Sequence, residues 1–369
     1  MDALVIGGTG PTGPHIIGGL IERGYTVTML NRGSRDSDAV PLGVERIKGD
    51  PHFPDTLEAA LKGRTFDVVV ATYGRIRYVA EVVANKTDRL ITVGGPPSYR
   101  GFTDANATFP PGMPIPTRED APRVESSDES RFGYLIRITE DAVMEQHQAG
   151  HMNVSHFRYP TVYGAWQVRP TTLWWVMQRC LDGREYAVLP EGGLSVITRG
   201  YSENMAHAVL LAVDQPEASA GQIYNCGDDL QFSFAQWVEL IADAMGHRLE
   251  IVSVPDAFAS PSRDLMQTRG SAHHQYLDME KLRIQLGYRD RVHPIDGIRQ
   301  TVQWFNENPP ADQAFVDEVR SHYEVEEQLV SIARSAAQEM AGLGHLASEF
   351  HHAYAHPRER GLDRDHRDR

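Results

Sequence analysis

Cysteine is scarce: Cys180 and Cys226 are the only two in 369 residues. Two distant thiols build neither a disulfide framework nor a cysteine-based metal site, and they read as reduced thiols of a cytoplasmic protein. Basic charge is in deficit too, with 36 Lys plus Arg against 50 Asp plus Glu and a formal net charge of −14. Nucleic acid and anionic membranes both need a basic footprint, so neither is expected as a partner. No apolar run reaches the roughly 18–20 residues of a membrane span. The opening Met1-Asp2-Ala3-Leu4-Val5 is strand-like at once, and the expectation is that it leaves no room for a signal peptide. There is no G-x-S-x-G elbow and no Walker loop ending in Gly-Lys-Ser or Gly-Lys-Thr. Glu349, His352 and His356, with His345 and His351, have helical metal-ligand spacing. A charged tail collects such residues by chance, and no metal is expected.

What is present is the composition of a globular protein, 41% hydrophobic and 23% charged, able to bury a core without staples. At roughly 150 residues per domain, the length suggests two to three domains or one large domain with a lobe. Strand-like runs at 2–6, 25–30, 44–48, 66–72 and 89–93 alternate with helical spacing at 15–23, 57–61 and 78–85. That alternation predicts a parallel α/β sheet with helices on both faces. Residues 94–130 hold Pro96, Pro97, Pro110, Pro111, Pro114, Pro116 and Pro122, and read as a long irregular segment of the kind that is either functional or disordered. Helices are predicted again over 132–148, 171–181, 203–213, 234–245 and 295–306, with strands at 154–158 and 250–254. Beyond Pro309-Pro310, residues 311–350 favour helix, and 357–369 are polar and read as disordered.

The strongest motif is Gly7-Gly8-Thr9-Gly10-Pro11-Thr12-Gly13, between the first strand and the first helix. Glycines at positions 7, 10 and 13 let a backbone approach a pyrophosphate, which the free N–H groups of a helix N-terminus then hold. The second strand ends at Asn31, where an NAD site commonly places an acid for the ribose 2′-hydroxyl. Here no acid is present, and Arg32 and Arg35 flank Ser34, which suits a 2′-phosphate. NADP is therefore expected over NAD. Asp50, after the third strand, is a candidate for the adenine amino group.

With these residues in hand, roughly residues 1–308 resemble the extended short-chain dehydrogenase/reductases, the NAD-dependent epimerase/dehydratase family. Besides the Gly-rich turn, the resemblance rests on Pro116-Thr117-Arg118-Glu119-Asp120-Ala121-Pro122, Arg158-Tyr159-Pro160-Thr161-Val162-Tyr163-Gly164 and Gly221-Gln222-Ile223-Tyr224-Asn225-Cys226-Gly227. Leu277-Asp278-Met279-Glu280-Lys281-Leu282 and Leu286-Gly287-Tyr288 extend it. It implies a doubly wound parallel sheet of Rossmann type, with a smaller C-terminal substrate lobe and a helical C-terminal extension. The expected boundaries are 1–165 with 196–227 for the dinucleotide domain, 166–195 with 228–308 for the lobe, 309–356 for the extension and 357–369 for the tail.

The resemblance also implies a catalytic Ser or Thr with a Y-x-x-x-K pair. The matching helix, Phe132-Gly133-Tyr134-Leu135-Ile136-Arg137-Ile138-Thr139-Glu140, puts Phe132 at the Tyr position and Ile136 at the Lys position, and Gly95 falls near the Ser position. No lysine occurs between Lys86 and Lys281, so a shifted register does not restore the pair. Tyr134 and Arg137 share a helix face and form one substitute, with the arginine stabilising a tyrosinate; packing and surface roles are the other reading. Ser98 and Tyr99 lie beyond a strand end where ligands bind in open sheets, and Tyr163 follows the next strand. Trp166, Trp174 and Trp175 are either an aromatic wall for a substrate or core.

Together these point to an NADP-dependent oxidoreductase reducing a C=O or polarised C=C bond of a small organic substrate, secondary-metabolite or sugar-like, without the usual triad. The hydride chemistry would be the cofactor's own. Two alternatives stay open: a non-redox epimerase, dehydratase or cyclase on the same fold, and a catalytically silent NADP-binding regulatory protein. A second copy of the chain, in a homodimer, is the one macromolecular partner this reading keeps.

Overall fold

The computed structural model describes residues 1–33, 38–263, 265, 272–344 and 360. In chain order the first half runs β1 (Asp2–Ile6), α1 (Gly13–Glu22), β2 (Thr26–Asn31), β3 (Glu45–Lys48), α2 (Pro54–Ala60), β4 (Val68–Ala71), α3 (Ile76–Val83), β5 (Arg89–Gly94), α4 (Arg131–Gln148) and β6 (Asn153–Arg158). The second half runs β7 (Thr161–Tyr163), α5 (Thr171–Leu181), β8 (Tyr186–Pro190), β9 (Arg199–Tyr201), α6 (Ser202–Asp214), β10 (Gln222–Asn225), α7 (Phe234–Ala244), β11 (Glu250–Val254), α8 (Ser260–Arg263), α9 (Glu280–Leu286), α10 (Pro294–Glu307), α11 (Gln313–Arg320) and α12 (Tyr323–Ala341).

Seven strands form one sheet in the order β10-β6-β5-β4-β1-β2-β3, all neighbours parallel. Alternation along each strand feeds two cores. Ala3 and Val5 of β1 and Val68 and Val70 of β4 pack with Ile16, Leu20, Met205 and Val209 of α1 and α6. Leu4, Ile6, Val69 and Ala71 pack on the other face with Leu57, Val79 and Val143 of α2, α3 and α4. Burial on both faces is why these strands read as continuous apolar runs. β1 lies between β4 and β2, so its C-terminal end opens at the point where the strand order reverses, the site where ligands sit in doubly wound sheets.

A third core lies outside the sheet. Trp174, Trp175, Trp237, Phe234 and Phe305 fill it from α5, α7 and α10, and Phe315, Val316 and Val319 of α11 join them. Trp174 and Trp175 are thus packing residues, and the boundary expected at 308/309 does not separate α11 from this core. The parallel pairs β8–β11 and β7–β9 were not legible as strands except for β11. Three-residue strands carry no period, and β8 ends in a proline. The described residues up to 329 form one compact unit, and those from 330 on belong to another. Among the described residues no helix is long and apolar enough to cross a membrane. The histidine-rich segment and the polar tail lie outside the described residues, apart from residue 360.

The proline-rich segment after β5 is pinned rather than loose. Val124 N–H donates to Ser98 O at 2.8 Å and Arg100 N–H to Pro122 O at 2.9 Å, while Tyr99, Phe102, Met113 and Leu277 form a small core beneath it. Ser130 then caps α4, its hydroxyl accepting from Gly133 N–H at 3.2 Å. A Cβ on Gly133 would stand 2.4 Å from Pro97 O. Only glycine lets the helix lie this close to the loop after β5, and that contact sets which face of α4 meets the site.

Candidate functional site

A cavity of about 700 Å³ lies over the C-terminal ends of β1, β2 and β4, lined by Gly7, Gly8, Thr9, Gly10, Pro11, Thr12 and Gly13, by Asn31 and Arg32, and by Thr72 and Tyr73. Gly13 is required by packing, since a Cβ there would fall 2.3 Å from Gly8 O. Gly10 is different: it has an ordinary φ and nothing within 4 Å of a Cβ built on it. No protein neighbour demands glycine at this position, yet it borders the cavity at the N-terminus of α1. The open space there has room for a polyphosphate, which a side chain at this position would partly fill.

At the end of β2, Asn31 Oδ1 accepts from Gly33 N–H at 3.0 Å, which turns the chain and leaves Arg32 at the cavity wall. The Arg32 guanidinium stands 5.5 Å from the Tyr73 ring centroid. Lys48 borders the same turn, its Cε 3.6 Å from where a Gly33 Cβ would be. No acid lines this end among the described residues. Arg35 lies outside the described residues. Asp50 does not line the cavity: its carboxylate accepts from His52 N–H at 3.0 Å and bonds His52 Nδ1 at 2.7 Å, closing a local turn. It stands one layer behind the wall, since His52 packs edge-on to Tyr73 at 5.2 Å.

A second cavity, of about 720 Å³, continues from the first through the shared residues Val93 and Tyr159. Its floor is the end of β5, Gly94 and Gly95, and its side is α4, which presents Phe132, Leu135, Ile136 and Thr139. Phe132 is 65% exposed and Leu135 beside it 40%. The two positions left without Tyr and Lys therefore face the cavity as apolar side chains, and Gly95 stands beside them without a hydroxyl.

The other candidates are elsewhere. Tyr134 and Arg137 do meet, with the guanidinium 5.2 Å from the ring, and Arg137 pairs with Asp141 at 3.2 Å. Neither lines either of these two cavities; they occupy the face of α4 opposite Phe132 and Ile136. Ser98 is fully buried, its hydroxyl on Gly95 O at 3.3 Å. Tyr99 is buried between Arg158, which donates to its hydroxyl, and Asn225, whose Oδ1 accepts from it at 2.7 Å. Burial pushes its phenol up to about 12. Tyr163 donates to Asp228 at 2.8 Å in the third core, and burial beside that carboxyl pushes its phenol well up. None of these hydroxyls reaches either cavity.

Residues that sequence reasoning passed over do line the second cavity: Thr139, Thr161, Arg75, Arg77, Arg131, Tyr159 and His156. Tyr159 donates to Met205 O at 2.9 Å, and burial raises its phenol well above the usual range. His156 is 1% exposed, with Nδ1 2.8 Å from Thr92 Oγ1 and Nε2 3.5 Å from Glu140. Burial drives its pKa down to about 4; Glu140 opposes this, and Arg158 and Arg123 add to it. The imidazole is neutral at pH 7. Arginines directly after an apolar strand, at Arg75 and Arg77, were the one available signal, because strand C-termini are where such sheets bind ligands.

Comparison with known proteins matches this architecture. The profile described as "NAD dependent epimerase/dehydratase family" matches residues 3–227. A UDP-glucose 4-epimerase of Corynebacterium glutamicum is 25% identical over 291 residues, 71% of this chain and 86% of that protein. A dTDP-glucose 4,6-dehydratase of an Actinoplanes species is 28% identical over 162 residues, 44% of this chain; the match spans only 47% of that protein's length. Among solved structures, a UDP-glucose 4-epimerase of Thermotoga maritima, determined with UDP-glucose, superposes with TM-score 0.67 at 20% identity, covering 84% of this chain and 99% of that one. A dTDP-glucose 4,6-dehydratase of Bacillus anthracis, in complex with NAD, also gives 0.67, at 17% identity, covering 85% and 99%. These structures share the fold, and the profile spans most of the chain from the Gly-rich turn to the end of β10: the protein belongs to the NAD-dependent epimerase/dehydratase family.

Proposed function

We propose that this chain is an NADP(H)-dependent oxidoreductase that reduces a C=O or polarised C=C bond of a small organic substrate in the cavity between β5 and α4. The observation that carries the reading is the pair Phe132 and Ile136 facing that cavity. Epimerisation through a transient ketone, and dehydration beside one, need a group that removes a proton from the substrate hydroxyl or from the carbon next to the carbonyl, whereas the proton that completes a reduction can be taken from water. Among the described cavity residues His156 is the one histidine, and its burial beneath Gly94 lowers its pKa to about 4, which leaves it neutral and poorly placed to carry a proton. When bound, the dinucleotide would supply the hydride and leave oxidised, and solvent water entering from the open side would supply the proton that completes the reduction. The chain's part is to hold it on the Gly-rich turn, to align the substrate against Val93 and Tyr159, and to present an apolar wall that excludes water from one side.

Arg32 just after β2 and Lys48 at the end of β3, with no acid among the described residues lining this end of the cavity, support a 2′-phosphate and hence NADP. Structural relatives are named as binding NAD, which makes the preference a point to measure. Titration should show NADPH binding about tenfold or more tighter than NADH, the equivalent of roughly 1.4 kcal/mol, and Arg32→Ala should remove most of the difference.

A second reading follows from the relatives' names, a non-redox conversion of a nucleotide sugar. Absorbance at 340 nm separates the two. Consumption of NADPH with aldehydes, ketones or enones supports reduction. Conversion of UDP-glucose or dTDP-glucose with no net change at 340 nm overturns it. Tight cofactor binding with no turnover of either set favours a silent binder.

A further inference from the structure

The second cavity carries an electrostatic feature that its apolar wall does not explain. Arg75 and Arg77, from the turn after β4 and the start of α3, and Arg131, the first residue of α4, all line it. None of the three forms an ion pair among the described residues, although the chain carries a net charge of −14. No Asp or Glu lines this cavity or the adjoining one of about 720 Å³, which shares Pro97, Arg131, Phe132 and Leu135 with it.

Other contacts hold two of these guanidinium groups in place. Arg77 Nη1 donates to Thr139 Oγ1 at 3.3 Å, and its plane lies 4.8 Å from the Tyr78 ring centroid. Arg75 lies 5.7 Å from the Phe53 ring and 5.8 Å from Tyr78. Stacking on aromatic faces leaves the N–H edge of a guanidinium free for an oxyanion, which it meets with two parallel hydrogen bonds. Opposite stand Phe132 and Leu135, 65% and 40% exposed. Apolar side chains left in water beside arginines without counter-charge ask for a ligand with both characters.

We propose that the substrate taken between α3 and α4 is an amphipathic anion: an apolar, preferably flat body against Phe132, Leu135 and Ile136, ending in a carboxylate or phosphate held by Arg77 and Arg131. This rests on the reading of the cavity as the substrate site. It goes beyond that reading by naming the chemical class. A neutral sugar, rich in hydroxyls, would leave the arginines unpaired and lay polar surface on the apolar wall.

The test is calorimetric titration of the full chain with 2-naphthoate, 2-naphthyl phosphate and the neutral 2-naphthamide, and separately with NADPH. At least one anion should bind one per chain and at least tenfold tighter than the amide. Arg77→Gln with Arg131→Gln should abolish that preference while NADPH affinity changes less than threefold. The two anions differ only in head group, so their ratio shows whether carboxylate or phosphate is taken. Equal binding of anions and amide, no anion binding, or anion binding indifferent to the substitutions overturns the proposal. A large loss of NADPH affinity in the double variant overturns it too, because the arginines then serve the dinucleotide. If wild type binds an anion in the predicted way but no NADPH, the cofactor reading fails and the arginine assignment stands. Arg131→Lys is the control for folding and should keep part of the preference.

Discussion

Glu140 of α4 and Arg158 of β6 are both buried and meet through two hydrogen bonds, Nε to Oε2 at 2.7 Å and Nη2 to Oε1 at 2.6 Å. Arg123 adds a third at 2.7 Å, and Arg158 also donates to Tyr99 and to Glu119 O. One carboxylate thus ties the helix carrying Phe132 and Ile136 to the strand carrying His156 and to the proline-rich segment. Its charge is compensated by these arginines, which hold its carboxyl below the usual range against the opposing effect of burial. Glu140→Gln keeps the volume and removes the charge, leaving Arg158 buried without its counter-ion. We expect a loss of about 3–5 kcal/mol, in the range found when one partner of a buried pair is removed. Urea unfolding measures it, and a midpoint within 0.2 M of wild type, about 0.2–0.6 kcal/mol, would show that the network does not bear on stability.

Behind the cavity, His156 links the fold to pH. Its folded pKa, about 4, lies below the ordinary 6.5 because the ring is buried. His207 is lowered to about 4 as well, by burial and then by Arg291 and Arg23. For a group of this kind the unfolded chain binds more protons between the two values. Stability is therefore fully present above about pH 6.5 and is lost as pH falls towards 4. His156→Gln should flatten part of this slope, on the order of 3 kcal/mol between pH 7 and 4. Urea midpoints at pH 5.0 and 7.5 for both proteins test it, and identical slopes would discount the histidine.

The Gly-rich turn was legible because its chemistry is local. Three glycines at fixed spacing after four apolar residues place β1, the turn and α1 without reference to the rest of the chain. That positions 132 and 136 carry Phe and Ile where the resemblance implies Tyr and Lys was legible for the same reason. What the sequence could not convey is which way a side chain points. Spacing of three says that Tyr134 and Arg137 share a face, but Gly133 against Pro97 decides which face meets the cavity. Tyr99 and Tyr163 find partners 59 and 65 residues away, Arg158 and Asp228, which turn both hydroxyls into the protein. The arginine cluster was hidden likewise, because Arg75 and Arg77 meet Arg131 only through the packing of α3 on α4.

Gly10 tests the cofactor cradle. Because nothing stands within 4 Å of a Cβ there, Gly10→Val should fold as wild type does. The added isopropyl group would project at the N-terminus of α1 and keep a pyrophosphate off its N–H groups. We expect dinucleotide affinity to fall at least 100-fold, about 2.7 kcal/mol, with an unchanged melting temperature. Normal binding of NADPH by the variant, followed by fluorescence, would remove the turn from the site.

The last prediction concerns the pair missing from α4. Phe132→Tyr with Ile136→Lys writes the family's Tyr and Lys back onto the face that meets the cavity. It should not raise the rate of NADPH oxidation with the best carbonyl or enone substrate. A tyrosine works as an acid only if its phenol is brought towards neutral pH and its proton is shared with an aligned partner, and Gly95 offers no hydroxyl. A new ammonium at position 136 would also lie one turn from Thr139, where Arg77 already donates at 3.3 Å, and like charges oppose its protonation. It would replace apolar surface of the wall at a cost of a few kcal/mol if left unpaired. Tyr134→Phe is the complement: with its ring on the far side of α4, loss of the hydroxyl should leave kcat within about threefold, where loss of a general acid costs about 10²–10⁴-fold. The pH dependence of kcat decides between these outcomes. A new ionisation accompanied by a rise in kcat in the double variant would show that the cavity is still built for the proton relay. A hundredfold loss in Tyr134→Phe would place the acid on the opposite face of the helix.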